Sequence, residues 1–468
     1  MRLGIRSIPP SGVAPAPLRR ARRDYVHVGS TVALATVISL ATGGAALSCS
    51  SDEDGRQADP DDAGPEASTM TDGAAAFDAP PPPRDAAPFD AGPLPVVCAS
   101  SPCATSLVTT QGANEHSDHG EGFCALLDDG TVACWGANAA GQLGRGDDAG
   151  SADSPTAARV AALSDVAQLD HTCALDRSGA VWCWGTGPFL RNDAGAATAE
   201  RSPVKLALPP AKSVGVGINV ACALVDDGLL CWGRNSYGQI APFDSAPHAV
   251  LPPRWIAVPP GALIHDVVVG NAAFARRTDG VTLSWGANAL LARVSSLDFD
   301  PEPQRIALDG ITSMDVTADS ACATAGGIGY CWGRAIAEPL FNRDLPEPIV
   351  TPEPIVQIAT TRSLQTTGFG DVIVQPQRWC AVGASGDVYC WGYNASGQAG
   401  DGTLEHAFDA VKVHGLPERA AQVKTTPDAT CALLTSGKVY CWGSNYYGQL
   451  GNGKIRVPSL APQEVALP

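Results

Sequence analysis

One dipeptide constrains this chain more than any other feature. Trp-Gly recurs seven times, at Trp135, Trp184, Trp232, Trp285, Trp332, Trp391 and Trp442, at intervals of 49, 48, 53, 47, 59 and 51 residues. Self-similarity at a period of this length points to an array of equivalent supersecondary units. The same phrase surrounds each copy. The first reads Cys124-Ala125-Leu126, then Asp128-Asp129-Gly130, then Val132-Ala133-Cys134-Trp135-Gly136. The last reads Cys431-Ala432-Leu433, then Ser436-Gly437, then Val439-Tyr440-Cys441-Trp442-Gly443. Two β-favouring runs flanking a Gly-containing turn predict an antiparallel hairpin. A second turn, Asn-x-x-Gly, follows at Asn138, Asn235, Asn394 and Asn445, and it runs on as Gly-Gln-Leu-Gly or a near form, as at Gly448 to Gly451. A Pro then precedes an extended stretch (Pro203-Val204, Pro462 to Val465), and a short run such as Val214-Gly215-Val216 or Val267-Val268-Val269 leads into the next copy. Each unit therefore predicts about four short strands, the content of one propeller blade. With 50 Gly and 38 Pro in 468 residues, a helical bundle is excluded.

The strand His171-Thr172-Cys173-Ala174-Leu175, the Trp-Gly-x-Asn turn and the Gly-Gln-Leu-Gly tail together resemble the repeats of the regulator of chromosome condensation family. The likeness covers roughly 96–468, about four-fifths of the chain. It implies an all-β, seven-bladed β-propeller, which the seven Trp-Gly copies match. Propellers with aspartate boxes place Trp three residues after the box Gly, whereas Gly130 and Trp135 are five apart, and a Trp-Asp blade ending is absent.

Fifteen cysteines are far more than a reducing cytosol favours. Six copies carry Cys at both ends of the hairpin: Cys124 and Cys134, Cys173 and Cys183, Cys222 and Cys231, Cys322 and Cys331, Cys380 and Cys390, Cys431 and Cys441. Counting inward from each pair meets in the turn, so the two stand opposite each other at about 4.5 to 5.5 Å between α-carbons, within reach of a disulfide. The fourth copy has Phe274 and Ser284 at these positions, and both cysteines are missing together, as a pair would be. Metal thiolates would want Cys-x-x-Cys spacing, which does not occur. Six hairpin disulfides are expected, and a small Cys98–Cys103 loop outside the repeats.

The fifteenth cysteine is Cys49. Six Arg and one Asp precede it, and an uncharged, moderately apolar stretch from Val28 runs into Ala46-Leu47-Ser48-Cys49. Basic region, apolar region and small residues in that order read as a signal peptide rather than a membrane span. The end of that stretch resembles the bacterial lipobox, with Ala46 where Leu is usual, and it implies cleavage and acylation of Cys49. Arg22-Arg23 also resembles a twin-arginine export motif, a route that carries folded proteins and fits the disulfides less well. Beyond Cys49, residues 50–95 hold eleven acids against two Arg, with Pro80 to Pro83 in a row. Such a segment cannot bury enough apolar surface to fold. The expected organisation is a signal peptide of lipoprotein type over 1–48, a disordered tether over 49–95 and the propeller over 96–468. The chain from Cys49 carries a net charge of -22, with -9 in the tether and -13 in the propeller.

An acidic chain of net charge -17 argues against nucleic acid as a partner. No Gly-x-Ser-x-Gly elbow, phosphate-binding loop or His-Glu-x-x-His occurs, so no catalytic residue and no cofactor are assigned. Asn114, Glu115, His116, Asp118, His119 and Glu121 form the one metal-like cluster, with His116 and His119 as its ligands; the expectation is a solvated acidic insertion rather than a metal site. His171 is expected to cap its strand, and the Trp-Gly tryptophans to pack between blades. Trp182, Trp255 and Trp379 fall outside the repeat pattern, and Tyr237, Tyr393, Tyr446 and Tyr447 lie in or beside the Asn-x-x-Gly turns. Aromatics on loops are candidate partner contacts or covers for neighbouring loops. Relatives implied by the resemblance include exchange factors for small GTPases and a secreted β-lactamase inhibitor, which grip protein partners with propeller loops. The expected function is a non-enzymatic, monomeric binding scaffold, lipid-anchored at the cell envelope or surface, that engages a protein or glycan through its loops. The alternative is an exported hydrolase or lyase acting on a glycan through carboxylates at the propeller channel, although fold alone supplies no such pair.

Overall fold

A computed structural model describes residues 89, 92–110, 120–187, 198–217, 219–242, 250–335, 341–361, 364–368, 371–375 and 378–468. Cys49, the leader, nearly all of the tether, His116 and His119 lie outside the described residues.

Seven four-stranded antiparallel sheets follow one another along the chain, over 104–159, 166–205, 211–256, 264–305, 311–348, 355–412 and 420–464. They are the seven blades of a β-propeller. In each blade the first strand is innermost: six of the seven inner strands, including Val166–Asp170, Ala211–Val216 and Ile264–Val269, line the axial channel. The hairpin phrase forms the second and third strands, and the stretch with Pro forms the outer one, as in Thr198–Lys205 and Ser459–Glu464. The 59-residue interval has a local cause. A two-stranded hairpin, Leu364–Gly368 with Asp371–Gln375, is inserted between the first two strands of the sixth blade.

Every hairpin cysteine faces its partner in register, and all six pairs are disulfides. Cys124 is bonded to Cys134, Cys173 to Cys183 and Cys222 to Cys231 in the first three blades. Cys322 is bonded to Cys331, Cys380 to Cys390 and Cys431 to Cys441 in the last three. The α-carbons of each pair are 4.1 Å apart, so the expectation of 4.5 to 5.5 Å from ideal strand pairs was too wide. In the fourth blade Phe274 faces Ser284 in the same register, both fully buried, and the Ser284 hydroxyl donates to the Leu291 carbonyl at 2.6 Å. There an aromatic ring and a hydroxyl bonded to main chain fill the space that a disulfide fills elsewhere.

The tryptophans join blades. Each of five indole Nε1 groups donates to a carbonyl in the turn of the preceding blade. Trp184 reaches Gln142 at 2.9 Å, Trp285 reaches Gln239 at 2.8 Å, and Trp332 reaches Leu290 at 2.8 Å. Trp442 reaches Gln398 at 2.9 Å, and Trp135 in the first blade reaches Gln449 in the seventh at 3.0 Å. The Asn-x-x-Gly-Gln phrase exists to present that carbonyl. In the seventh blade Asn445 Oδ1 accepts from the Leu450 N–H at 3.0 Å and Gln449 Oε1 accepts from the Tyr447 N–H at 2.8 Å. The same pair of bonds recurs at Asn138 and Gln142, Asn235 and Gln239, and Asn394 and Gln398. Gly448 between them has φ +79°, and a β-carbon there would stand 2.7 Å from Pro155 in the outer strand of the first blade. Only glycine fits that approach.

Among the described residues each blade draws its four strands from one stretch of chain, and the first and last blades share no strand. Their seam is closed by side chains and loops. Cys98 and Cys103 are bonded, and the segment they close is held on both sides of the seam. The Cys103 N–H donates to Asp128 Oδ1 of the first blade at 3.1 Å, while the N–H groups of Val97 and Ala104 donate to the Thr435 and Gly437 carbonyls of the seventh. Gln422 Oε1 accepts from the Leu107 N–H across the same seam at 2.9 Å.

Candidate binding face

Strand direction alternates across a blade, so one end of the propeller collects the connections from first to second and from third to outer strand. The other end collects the hairpin turns and the links between blades. The second set is short, two to seven residues. In six blades the connection from third to outer strand spans ten to seventeen residues, and the inserted hairpin of the sixth blade leaves from the same end. Loop length, and with it adaptable surface, is concentrated on one face.

The candidate contact aromatics divide between the two ends. Tyr237, Trp379, Tyr393, Tyr446 and Tyr447 belong to the long-loop face. Tyr446 is 55% exposed and meets Tyr447 edge-on at 4.9 Å between ring centres. Tyr237 is half-buried against the edge of Phe299 at 5.3 Å. Trp379 stacks on Trp391 at 6.2 Å, and Tyr393 is half-buried, its phenol pushed up by burial and by the charge of Asp428. Trp182 and Trp255 sit instead toward the hairpin-turn end. The Trp182 indole donates to Asp176 Oδ2 at 2.9 Å with Lys205 over its ring, whereas Trp255 lies beside Gly228 and is 56% exposed. These seven side chains therefore do not form one patch.

The channel along the axis is polar and its charges are engaged. Lys424 Nζ pairs with Asp315 Oδ1 at 2.6 Å, and Asp315 Oδ2 accepts from the Thr360 N–H at 2.9 Å. Asp266 pairs with Arg276 at 2.5 Å and accepts from the Ser213 hydroxyl at 3.2 Å. Asp170 Oδ2 accepts from the Val216 N–H of the next blade at 2.8 Å, and burial pushes its carboxyl up from the usual range. Gln168 exchanges two hydrogen bonds with Val214, and Gln357 two with Val423, again between neighbouring inner strands. Channel side chains thus bind blade to blade. His171 also reaches a neighbouring blade, its Nδ1 lying 2.8 Å from the Thr109 carbonyl of the first blade.

Glu121 is the one described member, apart from the neighbouring Gly120, of the acidic stretch before the first hairpin, and it is not on a solvated rim. It is 4% exposed and reaches the seventh blade: its Oε2 accepts from the Thr426 hydroxyl at 2.6 Å and its Oε1 from the Asp428 N–H at 3.0 Å. Burial, with the charge of Asp428, pushes its carboxyl up to about 8. Arg378, 1% exposed, reaches the same loop from the sixth blade. Its charge marks it as unusual for a core, but nothing local in the sequence says where it lies. Among the described residues no group of His, Cys, Asp or Glu is placed to hold a metal ion.

Regulator of chromosome condensation repeat models match at residues 169–190, 211–239 and 421–449, and again at 436–468. These matches fall in the second, third and seventh blades. The ultraviolet-B receptor UVR8 of Arabidopsis thaliana is 27% identical over 353 residues, covering 70% of this chain and 76% of UVR8. The human E3 ubiquitin-protein ligase HERC2 is 28% identical over 346 residues, 69% of this chain but only 7% of that protein. Among solved structures, human WBSCR16 aligns with a TM-score of 0.56 at 17% identity, covering 72% of this chain and 95% of the other. Prp20p of Saccharomyces cerevisiae, whose structure was described with its binding properties to Gsp1p and histones, aligns with a TM-score of 0.57 at 17% identity over 73% and 87% of the two chains. These last two likenesses bear on the fold. Among the described residues no helix is long and apolar enough to cross a membrane.

Proposed function

We propose that this protein is a non-enzymatic binding scaffold that grips a protein or glycan partner with the long-loop face of a rigid propeller. One observation carries the reading: the long connections and the exposed Tyr446 gather at one end of a ring whose blades are fixed by disulfides and tryptophan hydrogen bonds. Such a framework holds loops in place at little entropic cost on binding. Prp20p, a propeller of similar fold, is associated with protein partners, which favours the protein arm. Seven disulfides fit an oxidising compartment. With the leader over 1–48, they favour export, and the proposal adds acylation at Cys49, display on the acidic tether over 49–95, a monomeric state and no nucleic-acid partner.

Affinity capture from cell-envelope fractions with the full chain tests this. Alanine at Tyr237, Tyr446 and Tyr447 together should abolish capture, while Trp255→Ala at the opposite end should leave it intact. Capture that depends on Trp255 and ignores the tyrosines would refute the assigned face. Metabolic labelling with a fatty acid should mark the parent and not Cys49→Ala.

A further inference from the structure

A groove of about 420 Å³ opens on the long-loop face between the sixth and seventh blades. Its walls are apolar: Leu404, Pro458 and Leu460 are all exposed, with relative exposures of 54% for Leu404 and 37% for Leu460. Tyr446 stands at one side, and the Arg456 guanidinium lies 5.0 Å from the centre of its ring. Arg456 is exposed, and no carboxylate among the described residues pairs with it. Its backbone has φ +60°, a region costly for a residue with a side chain, and it is held there by its N–H bond to the Asn445 carbonyl at 2.6 Å. The whole loop from 444 to 458 contains Lys454 and Arg456 and no acid, within a chain of net charge -17.

Building on the binding-face reading, we infer that this groove takes an acidic peptide segment in which a large apolar side chain neighbours a carboxylate. The leucines and proline form a shelf for the apolar side chain, and branched aliphatic walls suit it better than they suit the polar rim of a sugar. Arg456, lying over the Tyr446 ring, offers guanidinium donors to the carboxylate. The volume admits two or three residues, so the groove reads a short motif within a larger contact.

The test uses the full, oxidised chain and a fluorescein-labelled hexapeptide of alternating Leu and Glu, followed by fluorescence anisotropy. Binding is expected for this peptide, and at least tenfold weaker binding for all-Glu and for alternating Leu and Lys. Arg456→Asn should weaken binding about tenfold, because asparagine accepts the left-handed backbone and keeps the loop while removing the charge. Tyr446→Ala should weaken it comparably. No binding of the Leu-Glu peptide, equal binding by Arg456→Asn, or preferential binding of an oligogalacturonate would overturn the inference. If envelope capture still fails with the tyrosine variant while Arg456→Asn captures normally, the binding face stands and only this groove assignment falls.

Discussion

Glu121 and Arg378, 257 positions apart in the chain, meet on a single residue, Thr426. The Thr426 hydroxyl donates to Glu121 Oε2 at 2.6 Å, and Arg378 Nη2 donates to the Thr426 carbonyl at 2.6 Å. One residue of the seventh blade is thereby held from the first blade and from the sixth. This loop therefore ties the last blade to both of its neighbours, alongside the other contacts across the seam.

Arg378 is the cation in that arrangement. Its guanidinium also donates to the Pro427 and Ala429 carbonyls and to the Thr430 hydroxyl. Arg378→Met would leave several buried acceptors without donors, so the loss should be about 3 kcal/mol or more. Arg378→Lys should recover little of it, since an ammonium cannot reproduce the planar fork. Urea denaturation monitored by tryptophan fluorescence would measure both; a loss under about 1 kcal/mol for Met would show that the loop holds without it.

Glu121 gives the seam a pH dependence of definite sign. Its folded carboxyl is raised from 4.5 to about 8, chiefly by burial. Between those values the unfolded chain has released the proton that the folded chain keeps, so the contribution is complete below about 4.5 and is lost as pH rises through about 8. Glu121→Gln removes that titration. The variant should match the parent near pH 5 and exceed it by about 1 kcal/mol or more at pH 9, by denaturation at each pH. Parallel pH profiles for the two proteins would count against a protonated Glu121.

Much of this was legible from sequence because the repeat writes it seven times. Hairpin and Trp-Gly keep a nearly constant spacing in every copy, and facing cysteines announce the register from sequence alone. The seam was not legible, because its partners occur once and lie far apart: Glu121 sits beside a run of acids and histidines that suggests a solvated loop, and nothing near Arg378 names residue 426. The same holds for the groove. Arg456 reads as an ordinary surface cation until its backbone conformation and its place over Tyr446 are seen. The contact aromatics were identifiable one by one, but which end of the ring each occupies follows only from strand direction.

The tryptophan link between blades can be separated into its polar and apolar parts. Trp442 is fully buried and its indole donates to the Gln398 carbonyl, which also accepts from the Thr430 hydroxyl. Trp442→Phe keeps most of the ring and loses the donor, and should cost about 1 to 3 kcal/mol. Trp442→Ala removes the ring as well and should cost about 3 to 5 kcal/mol. Equal losses in the two variants would mean that packing alone joins these blades.

The fourth blade offers a converse test of why the cysteines are where they are. Phe274 and Ser284 face each other in the register that carries a disulfide in the other six blades. Phe274→Cys with Ser284→Cys should therefore form a seventh hairpin bridge on oxidation, the oxidant taking up two electrons, detected as the loss of two hydrogen atoms by mass spectrometry without reduction. Stability should not rise with it. Closing a ten-residue loop contributes about 2 to 3 kcal/mol by chain entropy, whereas removing a buried Phe costs about 3 to 5 kcal/mol. In this blade the Phe274 ring also meets Trp332 edge-on at 6.1 Å, a contact that cysteine cannot replace. The double variant should thus be bridged and yet less stable than the parent, and Cys322→Ala with Cys331→Ala in the next blade should lose about 2 to 3 kcal/mol. Free thiols at 274 and 284 under oxidising conditions would mean that facing register is insufficient, and that blade twist rather than residue identity selects the bridged hairpins.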